Sequence, residues 1–164
     1  MNDVLFELAA RLGQRLHAEG LMMATAESCT GGWVGKALTD VPGSSAWFDR
    51  GYVTYSNRAK QEVLGVRPET LARYGAVSEA TVREMAEGAI RFGGVDLALA
   101  VSGLAGPGGG SAGKPVGTVW FAWARRGMDT TARRMLFYGD RDAVRRQAVR
   151  TAIRGALGHL GDLQ

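Results

Sequence analysis

The run Asp96-Leu97-Ala98-Leu99-Ala100-Val101-Ser102 is the segment that most limits what this chain can fold into. It is apolar at successive positions rather than at alternate ones, which is typical of a strand covered on both faces. A sheet that is buried on both sides needs helices above and below it. The run therefore predicts the central strand of a three-layer α/β/α sandwich.

Helical and strand-like patterns alternate along the rest of the chain. The predicted helices are residues 4–20, 33–38, a helix after Asn57 as its cap, 68–74, 78–92 capped by Ser78, and a final helix after Asp140. The other predicted strands are residues 21–25, 51–55, and a terminal hairpin of 118–124 and 130–138. Together with the central strand, this order predicts an α/β fold with a mixed, mostly parallel sheet.

The size and the cysteine count exclude several classes of protein. A chain of 164 residues is close to the commonest size of one domain, so we expect a single domain over residues 1–164. No apolar run approaches the roughly 18 residues that span a bilayer, and the N-terminus is amphipathic rather than signal-like, so we expect a cytoplasmic protein without a membrane partner. One cysteine and two histidines exclude a disulfide framework and argue against a zinc site.

The net charge of +4 is concentrated in the C-terminal part of the chain. Residues 121–164 hold nine basic and four acidic side chains, whereas residues 1–120 hold eleven and twelve. Arginine clusters bind phosphate groups well, because the guanidinium fork matches two phosphate oxygens. The cluster therefore fits a phosphorylated small molecule, a nucleic acid or simply a solvated helix face.

Three segments are expected outside the C-terminal ends of parallel strands, where such sheets bind ligands. They are residues 27–32, 55–60 and 102–110. Taken singly, each segment also has an ordinary explanation. Ser28 would cap a helix, Tyr55 and Lys60 would lie on the surface, and the glycine run would be a flexible loop.

A reactive serine needs a base, and this chain offers little histidine to supply one. His17 falls on the first helix and His159 near the C-terminus, so a Ser-His-Asp triad is not expected. A lysine kept neutral by burial can activate a serine instead. Only Lys36, Lys60 and Lys114 are available, against seventeen arginines.

Several ordered motifs resemble the CinA C-terminal domain family across nearly the whole chain. They are Thr25-Ala26-Glu27-Ser28-Cys29-Thr30-Gly31-Gly32, Val53-Thr54-Tyr55-Ser56-Asn57 with Lys60, Gly75-Ala76-Val77-Ser78, Val101-Ser102-Gly103 through Gly110, Lys114-Pro115-Val116-Gly117-Thr118, and Gly139-Asp140-Arg141. The resemblance implies hydrolysis of the carboxamide of nicotinamide mononucleotide to nicotinate mononucleotide and ammonia, within pyridine-nucleotide recycling and without a metal or organic cofactor. It also implies that Ser28 is the nucleophile, Lys60 its general base and Tyr55 a hydrogen-bonding partner that helps to move the proton.

Further residues are candidates for binding this substrate. Backbone N–H groups at Thr30, Gly31 and Gly32 are expected to stabilise the oxyanion that forms on the attacked carbonyl. The phosphate anchor is predicted in the glycine loop, where the motif residues are Ser102, Gly103, Ala105 and Gly106, with added charge from Arg141 or Arg145. Ser44, Ser45, Phe48 and Asn57 are expected to line the same cleft, with Phe48 stacked on the pyridinium ring.

Three alternatives stay open from the sequence. Cys29 adjoins Ser28 and is either a second possible nucleophile or a small packed residue. A non-catalytic member of the family would bind a nucleotide or nucleic acid through the C-terminal arginines, although these alternate with acids and have no interleaved aromatics, which disfavours nucleic acid. A homodimer is a further expectation, because tryptophans are enriched at interfaces. The four tryptophans, which would equally fit the core, are Trp33, Trp47, Trp120 and Trp123.

Overall fold

A computed structural model describes residues 3–162 and contains a five-stranded sheet between two layers of helices. The strands are β1 (Met23–Glu27), β2 (Phe48–Val53), β3 (Leu97–Gly103), β4 (Thr118–Arg125) and β5 (Thr131–Leu136). The helices are α1 (Val4–Glu19), α2 (Trp33–Thr39), α3 (Asn57–Leu64), α4 (Pro68–Tyr74), α5 (Glu79–Gly93) and α6 (Arg141–His159). A short 3₁₀ turn, Ser44–Ala46, precedes β2.

The sheet has the strand order β2-β1-β3-β4-β5, with the predicted central strand in the middle. Strands β2, β1 and β3 pair in parallel, whereas β4 pairs antiparallel with both β3 and β5. Four strands therefore run in one direction and β4 alone runs in the other. The predicted three-layer fold with a mixed, mostly parallel sheet is confirmed.

The two faces of the sheet carry side chains of different size. On β3, Leu97, Leu99 and Val101 belong to the core shared with α1, α2 and α6. Between them, Ala98 and Ala100 face α5 on the other side. Because a strand points successive side chains to opposite faces, this alternation leaves small side chains under α5 and large ones on the first face.

The sequence placed most element boundaries within one or two residues. The predicted cap Asn57 is wrong: Ser56 caps α3 by accepting from the Ala59 amide at 3.0 Å, and Asn57 is the first helical residue. The second strand runs over Phe48–Val53 rather than to Tyr55. The carbonyls of Thr54 and Tyr55 accept hydrogen bonds from Lys60 instead of continuing the ladder.

The tryptophans divide between core and surface. Trp47 and Trp123 are buried in the core, whereas Trp33 and Trp120 are half-exposed. The homodimer stays a prediction.

Among residues 3–162, the structure has no helix with the length and apolar character that crossing a membrane would require.

Substitution of Gly88 on α5 tests how closely the helices pack. A Cβ at this position would lie 2.0 Å from the carbonyl oxygen of Leu64, at the end of α3. We expect Gly88→Ala to lower the free energy of unfolding by about 1–3 kcal/mol, because the backbone of α3 must move. Gly158→Ala on α6 is the matched control, since a Cβ there would meet no described atom within 4 Å apart from its own helix backbone and chain neighbours. Denaturant unfolding measures both; equal stability of the two variants would contradict the packing argument.

Candidate active site

The C-terminal ends of three parallel strands bring the predicted site residues together. Glu27 of β1 pairs with Val53 of β2 and with Val101 of β3. The next residue, Ser28, donates its amide to the Val101 carbonyl at 2.9 Å, and the Thr54 amide donates to the Glu27 carbonyl at 2.9 Å. The parallel register therefore sets Ser28 beside both neighbouring strand ends.

The side chains of Ser28 and Lys60 meet at this edge of the sheet. Lys60 lies in the first turns of α3, where its amide donates to the Ser56 carbonyl. Side chains of a helix point back toward its N-terminus, so Lys60 reaches under the helix start to the sheet. Its Nζ lies 3.0 Å from the Oγ of Ser28.

Lys60 is surrounded by neutral groups. Its Nζ donates to the backbone carbonyls of Thr54 at 2.9 Å and Tyr55 at 3.0 Å, and only 1% of the residue is exposed. Burial disfavours the charged form and lowers the pKa of Lys60 from 10.5 to about 8. With two hydrogens directed at carbonyls, the lone pair of the neutral amine is left to face Ser28.

Tyr55 contacts this pair through its backbone rather than its side chain. Its carbonyl oxygen accepts from Lys60 and lies 3.5 Å from the Ser28 hydroxyl. Its phenol is directed elsewhere: the side chain is largely exposed, and its hydroxyl lies 3.2 Å from Nη2 of Arg141. The structure thus shows no direct contact of the phenol with Ser28 or Lys60.

A pocket of about 260 Å³ opens above these residues. The predicted residues that line it are Ser28, Tyr55, Lys60, Ser102, Gly103, Ala105, Gly106 and Arg141. The lining also contains residues of the quoted motifs for which no role was predicted, namely Ala76, Val77, Leu104 and Gly108, and Cys29 lies there as well. Arg141 bridges two walls, because its Nη1 donates to the Gly106 carbonyl at 2.7 Å while Nη2 contacts Tyr55.

Four predicted cleft residues lie outside this lining. Phe48 is the first residue of β2, where it pairs with Met23, and Ser44 and Ser45 lie in the 3₁₀ turn just before it. This is the opposite end of the strand from the pocket. Phe48 packs against the main core instead of a ligand site. Asn57 is exposed in the first turn of α3. The pocket lining therefore does not include these four residues, and their role in substrate binding stays a prediction.

Four further predicted binding residues also lie outside the pocket and instead line a separate surface depression next to Trp33. They are Thr30, Gly31, Gly32 and Arg145. The Gly31 amide is already used, since it donates to the Ser28 carbonyl at 3.0 Å. Arg145 donates from Nε to the Cys29 carbonyl at 3.0 Å and from Nη2 to the Thr30 carbonyl at 3.2 Å. It therefore binds the backbone of the turn rather than the pocket.

Sequence reasoning missed two groups in this turn. Cys29 follows Ser28 directly and lines the pocket, and its amide donates to no other residue within 3–162. The signal for it was the strand-turn-helix pattern, in which the residue after the nucleophile supplies an N–H to the oxyanion. The second group is Glu27, which is 1% exposed and accepts from the Thr30 hydroxyl and from the Val34 and Gly35 amides at 2.6, 2.9 and 3.0 Å.

The Cys29 thiol does not have the properties of a nucleophile. It is 6% exposed and packs in the core. Burial raises its pKa to about 12, so the thiol is protonated at neutral pH. The packed-residue alternative fits this environment.

Among residues 3–162, histidine, cysteine and acidic side chains form no cluster of three that would hold a metal ion.

Comparison with known proteins gives consistent matches over the whole described fold. The model of the CinA C-terminal domain family matches residues 5–160. The chain is 58% identical to the nicotinamide-nucleotide amidohydrolase PncC of Escherichia coli (strain K12), over 91% of this chain and 90% of that protein. It is 52% identical to the protein of the same name from Pseudomonas putida, over 94% and 96% of the two chains.

Solved structures agree with the sequence matches. A CinA superfamily protein from Klebsiella pneumoniae superposes with a TM-score of 0.92 at 47% identity, over 99% of this chain and 100% of that chain. The competence/damage inducible protein CihA from Agrobacterium tumefaciens superposes with a TM-score of 0.93 at 47% identity, over 98% of each chain. With the family model matching from the first helix to the last, the chain belongs to the CinA C-terminal domain family.

Proposed function

We propose that this chain hydrolyses the carboxamide of nicotinamide mononucleotide, giving nicotinate mononucleotide and ammonia for pyridine-nucleotide recycling. The observation that carries the proposal is the 3.0 Å contact between Lys60 Nζ and Ser28 Oγ at the floor of a pocket. The names of the relatives from Escherichia coli and Pseudomonas putida support this substrate. The amidohydrolase assignment thus combines a nucleophile, a base and a place for the amide.

The first chemical step is attack by Ser28. The neutral amine of Lys60 accepts the hydroxyl proton while Oγ bonds to the carboxamide carbon. The carbonyl electron pair moves onto oxygen, and the Cys29 amide donates to this oxyanion. Lys60 is then an ammonium ion, and its three hydrogens match its contacts with Ser28, Thr54 and Tyr55.

The second step releases ammonia. As the tetrahedral intermediate collapses, the C–N bond breaks and Lys60 returns its proton to the leaving nitrogen. An ester joins the acyl group to Ser28. Water then attacks this ester with Lys60 accepting one of its protons, and Ser28 leaves with that proton. The acid product releases the other proton to solvent and becomes the carboxylate.

The substrate is held by groups around the pocket rather than by the reacting pair. Ser102 lines the pocket and is 1% exposed, and its hydroxyl is the side-chain group that we assign to the carboxamide. Arg141 supplies a guanidinium for the phosphate, and the neighbouring glycine loop supplies amides. In this arrangement the Tyr55 phenol orients Arg141.

Removal of the proposed base should abolish most of the activity. We expect Lys60→Met to lower kcat by about 10²- to 10⁴-fold, the usual contribution of a general base. Lys36→Met is the control, since Lys36 is exposed and its ion pair is with Asp40, the residue that follows α2. Ammonia release from nicotinamide mononucleotide measures both variants. Wild-type rates in Lys60→Met would refute the role of Lys60.

The pH profile should report the same group. Since the base acts when unprotonated and its pKa is about 8, kcat/KM should rise about tenfold per pH unit below pH 8 and level off above it. Initial rates between pH 6 and about 10 measure this. A profile that falls with rising pH through this range would contradict the assignment.

Ser28→Ala and Cys29→Ala separate the two candidate nucleophiles. Ser28→Ala should remove detectable turnover, because no oxygen then attacks the amide. Cys29→Ala should retain activity within about tenfold, since the thiol is protonated and the backbone amide of residue 29 is kept. Nicotinate mononucleotide formation is the measurement. The reverse pattern would make the thiol the nucleophile.

Arg141→Gln tests the phosphate anchor. The loss of a charge-assisted hydrogen bond, worth about 1.5–3 kcal/mol, corresponds to about a 10- to 100-fold higher KM for the mononucleotide. KM for nicotinamide riboside, which lacks the phosphate, should change much less. Arg150→Gln on the same helix is the control, since Arg150 is exposed. Equal effects on both substrates would exclude phosphate binding by Arg141.

A further inference from the structure

The turn that carries the nucleophile, residues 28–32, is held by two charged side chains of opposite sign. Glu27 binds the side chain of Thr30 and the first amides of α2. Arg145 reaches the same turn from α6 and binds the carbonyls of Cys29 and Thr30. A charge placed on these carbonyls affects the electronic state of the peptide groups next to Ser28.

We propose that Arg145 is a positioning residue that strengthens the oxyanion donor at Cys29 through a chain of peptide hydrogen bonds. The inference rests on the proposed function, in which the Cys29 amide binds the oxyanion. Arg145 donates to the Thr30 carbonyl at 3.2 Å. The N–H of that same peptide belongs to Gly31 and donates to the Ser28 carbonyl at 3.0 Å. The N–H of the Ser28 peptide is the Cys29 amide.

Each link of this chain polarises the next. A cation on a carbonyl draws electron density from its peptide group and makes the N–H on the other side a stronger donor. The planar trans peptide points that N–H away from the carbonyl, so the effect is carried forward through two peptide groups. Arg145 therefore acts on the reaction without touching substrate.

The surroundings of Arg145 fix its guanidinium in this position. The indole of Trp33 lies 5.5 Å from it, within cation–π range. Gly31 has a φ of +59° and leaves just enough room, since a Cβ there would lie 3.3 Å from Nη2 of Arg145. Both nitrogens that donate are committed to the turn.

Arg146 provides a matched control on the same helix. Its guanidinium lies 5.2 Å from the same indole and 3.8 Å from Asp3, and it makes no hydrogen bond to residues 28–32 in the described structure. An effect of Arg145 that came only from stacking on Trp33 or from helix charge would also appear at Arg146. An effect carried by the carbonyl contacts would not.

The experiment compares Arg145→Gln, Arg145→Lys and Arg146→Gln in the full chain. With nicotinamide mononucleotide, Arg145→Gln should lower kcat by about 10- to 100-fold, less than the loss of a whole oxyanion donor, while KM changes by less than about threefold. Arg145→Lys should recover part of kcat, and Arg146→Gln should stay within about twofold of wild type. The pH midpoint should remain that of the wild type, because Lys60 and Ser28 keep their contact.

Other results would overturn the proposal. A higher KM with unchanged kcat would mean that Arg145 binds the substrate phosphate. A shifted pH midpoint, or equal losses at Arg145 and Arg146, would mean general distortion of the fold. Unchanged kinetics in Arg145→Gln would exclude any role in the reaction.

A second readout is independent of the substrate. A fluorophosphonate probe reacts with an activated serine and develops charge on its phosphoryl oxygen, so it needs the same donor. Labelling of Ser28 should slow in Arg145→Gln and not in Arg146→Gln, with Ser28→Ala as the blank. A wild type that labels but releases no ammonia would refute the proposed substrate while this comparison still tests Arg145. Equal labelling rates would refute the role of Arg145.

Discussion

The burial of the Lys60 amine against two backbone carbonyls and the Ser28 hydroxyl is the interaction on which the site depends. All three partners are neutral, so the low-dielectric surroundings destabilise the ammonium form without a carboxylate to offset the cost. That cost is what makes a lysine usable as a base near neutral pH. The same three contacts also hold the amine after it has taken a proton, so the site needs little rearrangement between its two protonation states.

The fold keeps this amine in place through the small side chains on one face of the sheet. Alanines of β1, β3 and β4 let α5 approach the strands closely, and Gly88 lets α3 lie directly against α5. The position of α3 then sets the reach of Lys60, while Ser56 fixes where the helix begins. The larger side chains of the other face pack against α2 and α6. Amides of α2 bind Glu27, and Arg145 of α6 binds the carbonyls of the turn at residues 28–32. Packing on both faces thus sets the relative positions of Ser28 and Lys60.

Much of the fold, and the position of Ser28 and Lys60 at one edge of the sheet, could be predicted from the sequence, because local patterns and family motifs specify them. The central strand, the helix 68–74 and the Asp140 cap follow from periodicity and capping preferences. The cleft positions of Ser44, Ser45 and Phe48 could not be judged that way, since they depend on which end of β2 faces the pocket. Neither could the contacts of Glu27, because two of its three partners are backbone amides, which carry no sequence signature.

Arg141 and Arg145 show why side-chain chemistry alone does not assign a role. They lie four residues apart, one turn along the same helix, so the sequence offers them as equal partners for a phosphate. In the structure Arg141 reaches the pocket wall, whereas Arg145 donates hydrogen bonds to the carbonyls of the two residues that follow Ser28. Part of the C-terminal positive charge is thereby committed to the protein's own backbone. Two nitrogens of Arg145 therefore already have acceptors in the protein, so the two arginines are not equivalent partners for a phosphate.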